Sequence, residues 1–441
     1  MSRKILFSPV GGTDPISAVN AYDGSLLHIC RYYKPDVVVL YMSAEVLEAQ
    51  EKDNRYNYCL QQLMELQQRE MKIEAIERPD LTEVQEFDFF YDDFREEIQK
   101  IYSGMEESDE LLINVSSGTP AMKSTLMVLG TFGEYPCRLI QVVTPAKKMN
   151  EHQHKDYDVE TLWELNEDNL PDAQNRCVEV NCPSLLKLKQ EETIKQHIGV
   201  YDYQAALTIA ESMPKTYTRE YINLLRIGNY RIQLQLSDTD KLLHKTGINV
   251  FPVKDSSKRK CFEYALMLQI KLLRKEYADY IRALSPLIAD LFELILKNSC
   301  NIDINDYCFT RDGLRKWDRY ILTGSDAVAN RIYNSLMTEF SDFRFGPVFS
   351  SHLLVIIQNN SSNTALLDVV GKLRDVESNV RNLAAHEIVS VTPEMIQRLT
   401  GYTPEKIMRF VKTAFTYAGI NVKTEYWNSY DDMNKMIMDS M

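Results

Sequence analysis

The chain has 441 residues, a formal net charge of −13 and 44% hydrophobic residues, so it is too long for one hydrophobic core and too acidic for a generally nucleic-acid-binding surface. Its eight cysteines have no paired spacing, its start MSRKILFSPV has no signal-peptide apolar run, and no segment approaches the roughly 20 apolar residues that cross a bilayer. These features predict a cytoplasmic protein of two domains, with reduced thiols and no membrane partner.

From residue 1 to 150, β-branched or apolar runs alternate with helix-length segments of mixed polarity. KILFSP (4–9), DVVVLYM (36–42), KIEAIE (72–77), LLINVS (111–116) and RLIQVVT (138–144) read as strands. The alternation predicts a Rossmann-like α/β domain, its mainly parallel sheet covered by helices on both faces. Between the third and fourth strands, EFDFFYDDFREE reads as an exposed helix with an apolar stripe rather than as paired catalytic carboxylates. Residues 151–182 are polar and read as a linker, and after LPDAQNRCVEVNCP the strand signals nearly stop. Long helical patterns fill 183–441, and in the last of them Leu366, Val369, Val370, Leu373, Val376 and Val380 recur at three- or four-residue spacing. This region is expected to be all-α. Charge divides in nearly the same places: 15 Lys and Arg against 24 Asp and Glu in residues 1–150, 2 against 9 in 151–180, and 33 against 30 in 181–441. The helical half can hold a local site for RNA phosphates, whereas the first half would have to bind an anion with backbone N–H groups and helix ends.

Two strand ends share a design. KILFSPVGGTDPIS and LLINVSSGTPAMKS each run from a strand through small residues to Asp or Thr and then a proline. Asp14-Pro15 and Thr119-Pro120 therefore read as N-cap and first turn of a helix, aiming backbone N–H groups and a positive helix end outward. In the doubly wound order 3-2-1-4-5 the first and fourth strands are neighbours, and both turns face the crevice at the switch point. An anionic, nucleotide-like ligand suits such a place. GGTDP lacks the third glycine of the dinucleotide fingerprint and the chain has no Walker lysine-serine pair, which disfavours a dehydrogenase and a P-loop ATPase.

In the helical half, VRNLAAHEIV places Arg381, Asn382 and His386 close together. An arginine offers a permanently charged fork for phosphate oxygens, and a histidine titrates near neutrality. Together they can support attack of an RNA 2′-hydroxyl on its adjacent phosphate without a metal. On a straight helix, however, five positions put the two residues about 140° apart. They converge only if the helix breaks or a second copy supplies the partner group, as in a C2 dimer. Glu377, four residues before Arg381, is a rival partner for the arginine.

This combination resembles the CARF-HEPN accessory ribonucleases of type III-A CRISPR systems (the Csm family), over essentially the whole chain. GGTDP, NVSSGTPAMKS and R-N-x-x-x-H carry the resemblance. It implies a CARF domain over 1–150, a linker over 151–182 and an all-α region with a HEPN ribonuclease domain over 183–441. It further implies a homodimer that binds a cyclic oligoadenylate across two CARF domains and then cuts single-stranded RNA, leaving 2′,3′-cyclic phosphate and 5′-hydroxyl ends. Carried over by position, Gly11, Gly12, Thr13, Asp14, Ser116, Ser117, Gly118 and Thr119 would line the activator site, with Lys123 one helical turn on. Thr119 is the residue expected to act if the ring is degraded there. Ring size is not legible in the residues; the chain resembles low-GC Gram-positive members of the family, which implies cyclic hexaadenylate over cyclic tetraadenylate as activator, and no other cofactor is expected.

His152, His154, Cys177 and Cys182 match no standard zinc spacing, and no metal is expected. Two competing readings are a ligand-sensing CARF-type regulator with a non-catalytic, nucleic-acid-binding helical domain, and a helical partner-binding protein with a vestigial Arg-His pair. The first would need a basic recognition helix, which the chain lacks, so no stable DNA binding is expected.

Overall fold

The computed structural model describes residues 2–133, 135–145, 157–386 and 390–441, with the backbone alone at 257 and 381–386. The chain divides into two compact units, Met1–Leu188 and Lys189–Met441. In the first, β1 (Lys4–Pro9), β2 (Val37–Ser43), β3 (Lys72–Arg78), β4 (Glu110–Asn114) and β5 (Arg138–Val142) pair in the order 3-2-1-4-5, all parallel. Both faces of the central strands β1, β2 and β4 are buried, as their near-continuous apolar sequences require. Leu6, Val38, Leu40 and Leu112 pack on one face with α1 (Ser25–Tyr33), α2 (Ala44–Asp53) and α3 (Arg55–Gln67). Ile5, Phe7, Val39, Tyr41, Leu111 and Ile113 pack on the other with α4 (Phe87–Ser103) and α5 (Pro120–Phe132). The acidic-aromatic run forms most of α4, and its expected stripe is present: Phe90, Phe94 and Ile98, four residues apart, are buried while Phe87 and Phe89 are exposed.

The stretch read as a linker is structured where it is described. α6 (Val159–Glu164) packs on α3, and β6 (Cys177–Val180) adds antiparallel to the edge of β5. Its polar residues have partners across the fold. The Tyr157 hydroxyl bonds both backbone groups of Ile16, at 2.9 and 3.3 Å, and Arg138 pairs with Glu179 at 3.0 Å. His152 and His154 lie outside the described residues. The eight cysteines are free thiols.

The second unit is helical, as expected. Helix Tyr277–Ser299 packs against the helices Ser256–Leu273, Ser350–Asn360, Thr364–His386 and Pro404–Phe415. The stripe from Leu366 to Val380 is buried throughout. Burying each such side chain is worth about 1.5–3 kcal/mol, which holds the helix by one face. One hairpin was not anticipated: β7 (Cys308–Arg311) and β8 (Leu314–Trp317) pair antiparallel through Asp312-Gly313. Both turn residues have positive φ, 56° and 73°, the conformation that Asp-Gly favours in tight hairpins. Among the described residues, no helix is long and apolar enough to cross a membrane.

The core of this unit also contains a fully buried ion pair. Arg231 donates to Glu263 at 2.6 and 2.9 Å and to the Ser429 hydroxyl at 2.7 Å, with Tyr430 stacked 4.1 Å from the guanidinium. It ties together the helices Ile222–Ile232, Ser256–Leu273 and Ser429–Asp439. Breaking such a pair strands a charge in low dielectric, at a cost of roughly 3–5 kcal/mol. Glu263→Ala is expected to lower unfolding free energy by that amount in urea titrations, and replacing both partners by apolar residues of similar volume to recover most of it.

Candidate functional site

The strand order puts the C-terminal ends of β1 and β4 side by side at the point where the order reverses. Their turns touch. A Cβ added to Gly11 would lie 2.7 Å from the backbone nitrogen of Gly118 and 2.9 Å from the Ser117 hydroxyl, so only glycine fits. Gly118 itself has φ +83°, where a side chain would be strained.

Asp14 locks this arrangement. Its fully buried carboxylate accepts from the backbone nitrogens of Gly11 at 3.1 Å and Leu26 at 3.0 Å, and the Ser117 hydroxyl donates to it. The expectation that Asp14-Pro15 opens a helix is corrected. Residues 15–24 make an excursion that buries Ile16 against Tyr157, and α1 begins at Ser25 behind Gly24. Asp14 nevertheless bonds the first turn of α1, from twelve residues upstream. Thr119-Pro120 is the N-cap and first turn of α5 as read, with the Thr119 oxygen accepting from Met122 nitrogen at 3.3 Å. The same hydroxyl donates to the Val84 carbonyl at 2.7 Å.

Beside the turns lies a mostly polar cavity of about 260 Å³, lined among others by Thr13, Ser17, Asn20, Ser116, Lys123 and Arg176. Of the residues singled out from the sequence, Thr13, Ser116 and Lys123 therefore face it. Gly11, Gly12, Gly118 and Thr119 shape the adjoining turns, while Asp14 and Ser117 are buried and hold them together. Gly12 is exposed.

Arg176 was missed, because it arrives from just before β6, in the stretch read as a linker. Its guanidinium donates to Asp168 and, at 3.2 Å, to the Val143 carbonyl, and its backbone nitrogen donates to the His28 ring at 3.0 Å. Its Nε is buried without a hydrogen-bond acceptor among the described residues. Asp168 is buried, which alone would raise its pKa, but hydrogen bonding from His28 and the charge of Arg176 hold it below the usual carboxylate range. Asp23, His28 and Asp168 lie within 4.8 Å of one another, yet both carboxylates are already paired, Asp23 with Arg31 at 2.6 Å and Asp168 with Arg176.

In the second unit, the backbone is helical from Thr364 through His386, so the helix does not break between Arg381 and His386. The side chains of Arg381, Asn382 and His386 lie outside the described ones. Glu377, the rival partner, is buried and accepts from the hydroxyls of Ser285 at 2.5 Å and Ser350 at 2.6 Å and from Arg374 at 3.1 Å.

A doubly wound unit with a polar crevice at its switch point, followed by a helical unit whose long helix carries Arg-Asn-x-x-x-His, defines a CARF-HEPN protein. The Cas_Csm6 CARF domain matches residues 72–177, the CRISPR-associated protein Csm6 6H domain 180–232, and the Cas_Csm6 HEPN domain 250–438. The CRISPR system endoribonuclease Csm6 of Mycobacterium tuberculosis is 30% identical over 411 residues, 92% of this chain and 93% of that protein. Csm6′ of Streptococcus thermophilus is 24% identical over 99% of this chain and its own full length. The solved structure of Enterococcus italicus Csm6 bound to cyclic hexa-2′-fluoro-hexa-dAMP shares the fold over all of both chains, with a TM-score of 0.70 at 20% identity. The chain belongs to the Csm6 family of CRISPR endoribonucleases.

Removing the Asp14 carboxylate strands three donors, at about 1–3 kcal/mol each. Asp14→Ala is expected to cost at least about 3 kcal/mol in urea unfolding. Burial pushes the Asp14 carboxyl above its ordinary 3.8, against the hydrogen bonds of Ser117, Leu26 and Gly11. The native state thus keeps a proton that the unfolded chain releases, so this group's contribution is full below pH 3.8 and is lost as pH rises through the raised value. Thermal melts across that window should show wild type losing stability relative to Asp14→Asn as pH rises.

Proposed function

We propose that this chain is a homodimeric, cyclic oligoadenylate-activated ribonuclease that cuts single-stranded RNA without a metal, with cyclic hexaadenylate preferred to cyclic tetraadenylate. The observation that carries the sensing half is the crevice: two touching turns at the switch point, with Lys123 and Arg176 as cations and Thr13 and Ser116 as polar walls. Arg176 brings a positive charge to the cavity wall, which a phosphate of the ring would complement. The hexameric ring in the Enterococcus italicus structure supports the ring size.

In the cutting half, His386 takes the proton of an RNA 2′-hydroxyl, whose oxygen attacks the adjacent phosphorus. The bond to the 5′-oxygen breaks, the leaving oxygen acquires a proton, and the products are a 2′,3′-cyclic phosphate and a 5′-hydroxyl. Arg381 balances charge on the phosphoryl oxygens, and Asn382 orients the strand by hydrogen bonding. Because the helix is unbroken, Arg381 and His386 converge only if two copies contribute, which is why we make dimerisation part of the mechanism. The ring must bind the cutting-competent state better than the idle one, and a few kcal/mol of preference suffices. Thr119 spends its hydroxyl on Met122 and Val84, so we assign it to the turn and leave ring degradation out of the proposal.

The test is cleavage of labelled single-stranded RNA in EDTA, with cyclic hexaadenylate, cyclic tetraadenylate or neither. Stimulation by the hexamer is expected, with His386→Ala slower by about 10²- to 10⁴-fold. Arg176→Gln should raise the ring concentration for half-activation by roughly ten- to a hundredfold and leave the maximal rate unchanged, as loss of a charged hydrogen bond in binding requires. Absence of cleavage by wild type under every condition would refute the proposal.

A further inference from the structure

A second cavity, of about 460 Å³, lies within the helical unit between the helices Tyr277–Ser299 and Thr364–His386 and residues 348–350. Its volume falls in the range of about 300–1,000 Å³ typical of ligand pockets. Its lining reaches Val380, the residue immediately before Arg381. One wall is Phe349, 45% exposed, a large apolar ring facing open space. His352 packs edge-on against it with ring centroids 5.3 Å apart and accepts from the Trp317 indole at 3.1 Å. Burial lowers the His352 pKa to about 4, so at neutral pH this neighbour is uncharged and Phe349 is backed by apolar packing. The polar end consists of Ser285, Ser350 and Glu377. Both hydroxyls donate their proton to the Glu377 carboxylate, so their oxygens are left only to accept. At the rim stands Arg282, its side chain 55% exposed and 3.3 Å from Asp279.

An aromatic platform, an acceptor-rich end and a cation at the rim match the three parts of a nucleotide in a single strand. Building on the ribonuclease reading, we infer that this cavity receives the RNA base next to the cleaved phosphate. The base stacks on Phe349, its phosphate lies toward Arg282, and its edge meets Ser285 and Ser350. Acceptors favour a base with an exocyclic amino group, which adenine, cytosine and guanine carry and uracil lacks.

The test uses the full-length protein and single-stranded RNAs with one cleavable linkage, flanked by adenine, cytosine, guanine, uracil or an abasic sugar. Affinity is read by anisotropy on versions blocked by a 2′-deoxy sugar, and kcat/KM on cleavable ones. Wild type should disfavour uracil. Phe349→Ala should lose about five- to a hundredfold on amino-bearing bases and nothing on the abasic RNA, with Phe349→Trp retaining function. Equal loss on intact and abasic RNA, or no loss, overturns the inference. So does a changed sedimentation coefficient with unchanged base preference, which assigns the patch to a second copy of the chain. Base-dependent binding that Phe349→Ala abolishes, in a protein that cuts nothing, upholds the pocket and sinks the ribonuclease reading. No binding of RNA at all overturns both.

Discussion

The first unit depends on one buried carboxylate. Asp14 joins the turn after β1 to the turn after β4 and to the first turn of α1, so three elements far apart in sequence share a single acceptor. Gly11, Gly24 and Gly118 are glycines because that convergence leaves no room or no conformational freedom for anything larger. The crevice exists because these three elements are drawn together, and its walls are what remains exposed once Asp14 and Ser117 have been consumed. Asp14 therefore shapes the crevice without lining it.

The same device recurs. Asp168 is buried and fixes Arg176 at the cavity, and Glu377 is buried and pins the helix that leads to Arg381 against Ser285 and Ser350. In each case an acidic side chain is removed from solvent and spent on positioning, while the neighbouring surface offers cations or hydroxyls. A chain with a net charge of −13 thereby keeps these acidic groups from dominating the surfaces beside them. Net charge describes the average surface. A site is decided by which charges are already neutralised beneath it.

The individual strands and the helical half were legible in the sequence because they rest on periodicity, which is local, whereas the strand order was taken from the doubly wound pattern that the β-α-β alternation suggests. The stripe from Leu366 to Val380 and the apolar strands could be read from spacing alone. So could Thr119 as a cap. What could not be read was pairing at long range. Asp14 looked like the cap of a helix that the sequence suggested next to it, and it instead serves one that starts eleven residues later. Arg176 lies more than 50 residues from Ser116 and Lys123, in a stretch whose polarity mimics a linker; nothing nearby announces that its partners are His28 and Asp168. The hairpin at Asp312-Gly313 carries a signal in the sequence, the Asp-Gly pair, which the reading of the region as all-α passed over.

The edges of the sheet have a further consequence for assembly. β6 closes the side of β5, leaving β3 and β6 outermost. Along β3, charged Lys72, Glu74, Glu77 and Arg78 punctuate the strand, and β6 spans only four residues and carries Glu179, tied to Arg138. The charges along β3 and the shortness of β6 both repel strand addition, the commonest accidental route by which sheets coalesce. Two copies of this unit would accordingly have to meet through helix or loop surfaces, and the sheet is protected from growing into a fibre.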